Sequence, residues 1–193
     1  MASSGRQPDA GLSAEEFSAR FQSGARVLWT LAAGLLGDPS EAEDVCQEAF
    51  IAAYGKRDRF EPGTNFNAWM GRFVRNVATN ELRKRARRQT ASTDPVVLDR
   101  SNPFAGGALR PEHELYDQED FDERLLAGLR ELAEVPRACL LLRTLRELSY
   151  AEIAALLELP EGTAMSHVHR SRMALRAKLD PTPDGVRPLN VPP

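Results

Sequence analysis

The chain has 193 residues, of which 42% are hydrophobic and 27% are charged, as is typical of a water-soluble globular protein. No apolar run approaches the roughly 18 residues of a membrane span, and the first residues lack an apolar signal core, so we expect a cytoplasmic protein without membrane insertion. The net charge of −3 is unevenly distributed: acids dominate residues 12–54 and arginines dominate residues 56–88, which predicts a protein partner for the acidic surface and nucleic acid for the basic one.

The first part of the chain predicts two helices joined by a turn. After residues 1–12, which are small and polar and are expected to be disordered, apolar residues recur at helical spacing over residues 15–36. A glycine ends this helix. Ser40, with Glu43 three residues later, forms the pattern of a capping box for a second helix, which should reach about Tyr54.

A polar loop and a long basic helix follow. Residues 58–67 form the loop, which Pro62 and Gly63 interrupt, and a third helix is predicted over residues 68–88 with its arginines outward. The side chains expected to face inward are Trp69, Phe73, Val77 and Leu82. Together these elements predict a helical domain over residues 13–88.

Helical periodicity disappears over residues 89–120, where prolines and glycines lie among serine, threonine and aspartate. About thirty residues without structure are too many for a connection inside one compact domain. The segment is therefore predicted to be a linker that either tethers two domains or occupies a groove on a partner.

A second helical domain is predicted over residues 121–179, followed by a loose, proline-rich tail at 180–193. Near its end, Ser149 and Glu152 form a capping box for a short helix, and Pro160 then breaks that helix. Thr163 is expected to cap the last helix. The buried stripe of that helix is expected to be Ala164, Val168, Ser171, Leu175 and Leu179.

These last two helices have the pattern of a helix-turn-helix, in which the second helix enters the major groove of DNA. The last helix is basic from residue 163 to residue 179, with no acid in that stretch. An ordinary αα-hairpin with a solvated basic face is the alternative, and we favour DNA recognition.

No pattern of catalytic or metal-binding residues stands out. Cys46 and Cys139 are isolated in apolar helical settings, and His167 and His169 point in different directions on one helix, which is poor geometry for a metal. The sequence also lacks a nucleophile elbow, a phosphate loop and an acid–base pair. We therefore expect neither an enzyme nor a metal or cofactor site.

The chain closely resembles the extracytoplasmic-function sigma factors of bacteria in the order and spacing of three segments. These segments are EAEDVCQEAFIAAY, then FEPGTNFNAWMGRFVRNVATNELRKRARR and, after the linker, LSYAEIAALLELPEGTAMSHVHRSRMALRAKL. The resemblance covers roughly residues 15–179. It implies an all-α fold of two small helical domains, sigma domain 2 and a helix-turn-helix sigma domain 4, joined by a long flexible linker that threads a polymerase channel.

The resemblance implies a non-catalytic specificity subunit that recognises promoters for RNA polymerase. In such proteins the helix that corresponds to residues 41–54 of this chain binds the clamp helices of the largest catalytic subunit of the core enzyme. The candidate polymerase contacts are Asp44, Gln47 and Glu48. An anti-sigma factor is a further expected partner.

The loop and third helix resemble the part that opens the minus-ten promoter element and holds the melted non-template strand. The residues implied are Gly63, Thr64, Asn65, Asn67, Trp69, Arg72, Arg75, Asn76, Arg83, Lys84 and Arg85. The arginine-rich end of the helix, which also includes Arg87 and Arg88, would contact phosphates. Trp69 could equally serve core packing or base stacking.

The last helix resembles the part that reads duplex DNA at the minus-thirty-five element. The residues implied are Thr163, Met165, Ser166, His167, His169, Arg170 and Arg172. Met165 and His167 stand where the family usually has basic residues, and Glu158 stands where it usually has glycine, so the promoter sequence does not follow from the resemblance. The alternatives are a stand-alone helix-turn-helix regulator and a helical adaptor that binds only protein.

Overall fold

The computed structural model describes residues 11–91 and 123–179, and within these ranges the chain forms seven α-helices and no β-strand. The predicted all-α fold is confirmed. None of the described helices is long and apolar enough to cross a membrane. Residues 92–120 of the predicted linker (89–120), residues 1–10 of the expected disordered start (1–12) and the tail (180–193) lie outside the described residues. The disorder expected as far as residue 12 is wrong at its end, where Leu12 is buried and its N–H donates to the Arg57 carbonyl at 3.1 Å.

Helix α1 spans Ala14–Leu36, close to its predicted bounds. Ser13 and Glu16 form a capping box at its start: the Ser13 hydroxyl accepts from the Glu16 N–H at 3.1 Å, and the Glu16 carboxylate accepts from the Ser13 N–H at 3.0 Å. The helix ends at Gly37, which has the left-handed φ of 71° that glycine adopts without strain.

Helix α2 spans Ala42–Tyr54, and the prediction that Ser40 caps it is wrong. Ser40 lies inside a 3₁₀ turn, where its N–H and its hydroxyl both donate to the Asp38 carboxylate, at 3.0 Å and 2.7 Å. The aspartate before Pro39 thus caps the turn itself, and α2 begins one turn later without a side-chain cap.

Helix α3 spans Phe66–Ala91, two residues longer at its start than predicted and three longer at its end. Its buried stripe is Phe66, Met70, Val74, Val77 and Ala78. Of the four residues expected inside, only Val77 is fully buried, and the other three lie half-buried at the flank of the stripe. The centre of this half is the fully buried Phe17, whose ring meets the rings of α2 and α3 edge-on.

The C-terminal half contains α4 (Glu123–Glu131), α5 (Glu134–Leu145), α6 (Tyr150–Leu157) and α7 (Glu161–Leu179). The predicted capping box of Ser149 and Glu152 begins α6. Thr163, however, is not the cap of α7. The Pro160 carbonyl accepts from the Thr163 and Ala164 N–H groups at 2.9 and 3.1 Å, so the helix already begins after this proline.

The two halves pack directly on each other, α5 against α1 and α6 against α3. At the closest approach a Cβ added to Gly34 would lie 2.6 Å from the Ala138 Cα, so the absence of a side chain lets α1 and α5 touch. Arg137 is buried beside this point and donates to the Gly34, Leu35 and Leu132 carbonyls at 2.7, 3.0 and 2.8 Å. A fourth, longer bond of 3.4 Å reaches the Arg130 carbonyl. The bonds to Gly34 and Leu35 satisfy carbonyls at the end of α1 that have no partner within the helix.

Candidate protein-binding and nucleic-acid-binding surfaces

Helix α2 presents an acidic face to solvent. Asp44 and Glu48 are exposed and Gln47 is half-buried, with its amide donating to the Glu43 carboxylate at 3.2 Å. The opposite face, which includes Val45 and Ala49, is buried in the core. The three predicted polymerase contacts therefore share one surface, which we call the α2 face.

The α2 face also contains an aliphatic side chain that the sequence reasoning missed. Ile51 lies one turn after Gln47 and Glu48 and is 64% exposed, which is unusual for an isoleucine. Its spacing from Asp44, two helical turns, was the signal that could have identified it. An acidic stripe ending in an aliphatic anchor suits a basic protein surface with an apolar contact point.

The loop before α3 is ordered by its own polar side chains. The Thr64 hydroxyl donates to the Glu61 carbonyl at 2.8 Å, and Asn65 Oδ1 accepts from the Ala68 N–H at 3.1 Å. Asn65 is therefore the N-cap of α3, a structural role that the sequence reasoning did not assign to it. Gly63, with φ of 90°, has open space around it.

A cavity of about 330 Å³ lies between this loop and the start of α3. It is lined by Arg59, Glu61, Thr64, Asn65, Ala68, Trp69, Arg72 and Ala155. Its volume is at the lower end of the roughly 300–1,000 Å³ typical of small-ligand pockets. An aromatic wall, polar loop groups and a guanidinium are what a single unstacked base requires.

Trp69 packs in the core and also borders the cavity. Its ring packs on Phe60 and Phe73 with centroids 5.5 and 4.8 Å apart, and it also lines the cavity. Asn67, by contrast, is not part of the cavity wall. Its side chain packs on α1 in the space left by Gly24, where an added Cβ would lie 2.1 Å from Asn67 Oδ1.

Two of the predicted DNA contacts on α3 are held by the other half of the molecule. The Glu158 carboxylate binds Arg72 Nε and Arg75 Nη2, each at 2.6 Å, and Arg75 also donates to the Leu156 carbonyl. Glu158 has a left-handed φ of 53°, the conformation that favours the glycine expected there. Asn76, one turn after Arg72, is exposed.

The basic end of α3 separates into exposed and engaged side chains. Arg83 and Arg87 are exposed and line an open groove with Lys84, whose ammonium lies 3.3 Å from the Glu81 carboxylate. Arg85 is half-buried, forms an ion pair with Glu41 and donates to the Leu36 carbonyl at 3.4 Å. It is thus engaged in the fold, unlike its two exposed neighbours.

Helix α7 shows a continuous outer face. Ala164, Val168, Ser171 and Leu175 are buried as predicted, and Leu179 is half-buried. Met165, His169, Arg170 and Arg172 are exposed, while Thr163, Ser166 and His167 are half-buried. The predicted residues are brought together here, with Arg170 Nε donating to the Ser166 carbonyl at 3.3 Å.

The electrostatics of this helix are those of a nucleic-acid surface. Partial burial, with a smaller effect of the charge on Arg170, lowers the pKa of His167, so its imidazole is neutral at pH 7 and provides one donor and one acceptor. The positive charge that faces solvent comes from Arg170, Arg172, Arg176 and Lys178. Such a surface can bind phosphates and base edges.

The sequence matches known families and proteins along both halves. Residues 21–88 match sigma-70 region 2 and residues 122–175 match sigma-70 region 4. The chain is 37% identical over 145 residues to the ECF RNA polymerase sigma-E factor of Escherichia coli K12, covering 73% of this chain and 75% of that protein. It is 32% identical over 157 residues to the sigma factor SigW of Bacillus subtilis 168, covering 79% of this chain and 82% of that protein.

Two solved structures share the fold. The sigma factor RpoE of Bartonella quintana, in complex with the anti-sigma factor NepR, superimposes with a TM-score of 0.63 at 25% identity, over 87% of this chain and 99% of that one. CnrH, in complex with the cytosolic domain of CnrY, gives a TM-score of 0.58 at 22% identity, over 87% and 90%.

Proposed function

The chain belongs to the extracytoplasmic-function sigma factors of RNA polymerase, and from this membership we propose which of its surfaces bind polymerase, duplex DNA and melted DNA. An RNA polymerase sigma factor directs the core enzyme to promoters. The observation that carries the assignment of surfaces is the acidic α2 face on a domain whose next helix, α3, is strongly basic.

The α2 face binds the core enzyme. Asp44 and Glu48 supply negative charge to a basic coiled-coil partner, and Ile51 supplies an apolar contact that becomes desolvated at the centre of the interface. The opposite faces of the helix are committed to the core, so only this one is available.

The test is a charge reversal on this face. Asp44→Arg with Glu48→Arg should reduce affinity for core polymerase at least a hundredfold, about 3 kcal/mol, since two pairs become repulsive. Reversal of two exposed acids elsewhere, Glu15→Arg with Asp58→Arg, is the matched control and should change affinity little. Equal affinities for the two double variants, each with an unchanged helical spectrum, would remove the α2 face from the interface.

The cavity beside the α3 loop captures an unstacked base of the minus-ten element. Extruding a base costs a few kcal/mol, which stacking and hydrogen bonds in the cavity would offset. Trp69 provides the stacking wall, and Thr64 and Arg72 provide polar groups next to it. Asn76 lies on the exposed side of α3, where it would meet the separated strand.

Helix α7 reads duplex DNA at the minus-thirty-five element. Ser166, His169 and Arg170 lie on its outer face and can reach base edges, and Arg172 can reach a phosphate. The helix is held for this purpose by its buried stripe, which packs on α5.

Binding of the minus-ten element requires the two halves to separate. In the described arrangement Glu158 neutralises Arg72 and Arg75, which would otherwise face DNA, and α6 borders the cavity through Ala155. An anti-sigma factor would hold this arrangement, and a structural neighbour, the sigma factor RpoE, forms a complex with the anti-sigma factor NepR. A binding assay with a candidate anti-sigma protein tests this partner. The closed chain should retain that protein, and added core polymerase should release it.

The protein acts in the cytoplasm and by binding alone, without chemistry of its own. The competing function, a helix-turn-helix regulator that works without polymerase, would leave the α2 face unused. Two measurements separate these functions. A sigma factor should co-purify with core polymerase, whereas a stand-alone regulator would bind promoter DNA equally well without the core enzyme.

A further inference from the structure

The outer face of α7 contains an exposed methionine at the end that enters DNA. Met165 is 52% exposed, and it is one of three large apolar side chains that are strongly exposed among the described residues. The others are Ile51 on the α2 face and Met173, two turns further along α7. An exposed apolar residue among the groups of a binding surface calls for a contact of matching chemistry.

None of the residues that the structure describes covers this end of the helix. Met165 lies in the second turn of α7, and a Cβ placed on the neighbouring Gly162 would meet no atom within 4 Å. In a helix-turn-helix the N-terminal part of the recognition helix contacts base edges. Ser166 and His169 lie beside Met165 on the same face, so the thioether is placed among side chains that can reach the bases.

The chemistry of the side chain limits what it can recognise. A thioether donates no hydrogen bond and accepts only weakly, so it cannot read guanine as arginine does. In the major groove the one apolar group on a base edge is the 5-methyl group of thymine. The unbranched, flexible methionine can adjust its rotamers to cover such a group.

We infer that Met165 selects a thymine in the minus-thirty-five element through its 5-methyl group. This inference rests on the proposed role of α7 and makes it more specific. Arg170 and Arg172 supply affinity on both sides of this contact through phosphates or other bases, and Met165 supplies discrimination at one base pair.

The experiment uses holoenzyme assembled from the full chain and core polymerase. A duplex pool randomised at the upstream element is enriched for bound sequences, and each thymine of the enriched duplex is then replaced singly by uracil, which lacks only the methyl group. At one position this replacement should weaken binding about fourfold, the effect of exposing one buried methyl group. Met165→Ala should bind thymine and uracil equally at that position.

Met173→Ala is the matched control, because it removes an equally exposed methionine from the same helix outside its N-terminal part. It should retain the fourfold preference for thymine. Three results would overturn the inference. The first is a preference for thymine over uracil that persists in Met165→Ala, and the second is no effect of uracil at any position. The third is a loss of affinity for core polymerase in Met165→Ala. If the holoenzyme enriches no sequence at all, the proposed function of α7 fails rather than the role of Met165.

Discussion

The two nucleic-acid surfaces of this sigma factor differ in their availability. On α3, Arg72 and Arg75 are bound by the Glu158 carboxylate of the other half. On α7, Arg170 and Arg172 are exposed, and the described residues leave the start of the helix open. The difference indicates that the closed chain can present the proposed duplex-reading helix while Glu158 neutralises two arginines of the proposed strand-opening surface.

The same contrast appears in how the halves are joined. The α1–α5 contact is closely fitted, with a buried arginine and a glycine at the point of approach. The α3–α6 contact also has a glycine at its point of approach, since a Cβ added to Gly71 would lie 2.9 Å from the Leu156 carbonyl oxygen. Its charged contacts, however, depend on the Glu158 carboxylate, which remains half exposed, and such ion pairs contribute little net free energy. We therefore expect α3 and α6 to separate at lower cost than α1 and α5.

The largest effect should come from Arg137. Arg137→Ala removes four hydrogen bonds and leaves the carbonyls of Gly34 and Leu35 buried without a partner, which should lower the free energy of unfolding by about 3 kcal/mol. Chemical denaturation measures this. Arg137→Lys, which keeps the charge but not the fork of donors, should recover only part of the loss. A loss below about 1 kcal/mol would mean that the closed contact is not specifically stabilised.

Two variants of Asn65 should distinguish its role in capping α3 from its proposed role in strand opening. Asn65→Ala removes the cap of α3 and should lower the free energy of unfolding by about 1 kcal/mol as well as slow strand opening. Asn65→Asp retains a capping oxygen, so stability should be kept while the added negative charge slows opening. Permanganate reactivity of the promoter measures opening. Normal opening by Asn65→Asp would exclude this side chain from the melted-DNA site, and Asn76→Ala, which affects no cap, is the parallel test on α3.

A smaller effect distinguishes the arginines at the end of α3. Arg87 is exposed, so Arg87→Ala should reduce the salt dependence of promoter binding by about one unit of slope. Arg85 is engaged with Glu41 and the end of α1, so Arg85→Ala should lower stability by up to about 1 kcal/mol with less change in slope. Promoter titrations at several salt concentrations compare the two variants. Equal changes in slope would show that Arg85 leaves Glu41 to bind DNA.

Local features of the chain were predictable because local chemistry decides them. The capping box at Ser149 and the glycine after Leu36 set their helix ends, and the stripe from Ala164 to Leu175 set the buried face of α7. The two wrong caps, Ser40 and Thr163, lie one and three residues after a proline, where a competing backbone turn determines the first residue of the helix.

Contacts between distant parts of the sequence were not predictable in the same way. The fit of Gly34 against Ala138 joins residues about a hundred positions apart and leaves no periodic signal. The pairing of Glu158 with Arg72 is of the same kind: the sequence identified Glu158 as a departure from the family and Arg72 as a DNA contact, but nothing connected them. The family resemblance predicted the site residues, whereas only the structure showed which of them, such as Arg72, form ion pairs within the fold.

In the closed chain, Glu158 is expected to withhold Arg72 and Arg75 from melted DNA while α7 stays accessible. The direct measurement is binding of the free full-length chain, as wild type and as Glu158→Gln, to a single-stranded minus-ten oligonucleotide and to a duplex minus-thirty-five fragment. Loss of the two ion pairs should increase affinity for the single strand about two- to fivefold and leave affinity for the duplex unchanged. Unchanged binding of the single strand, or an equal change for both DNAs, would contradict the claim.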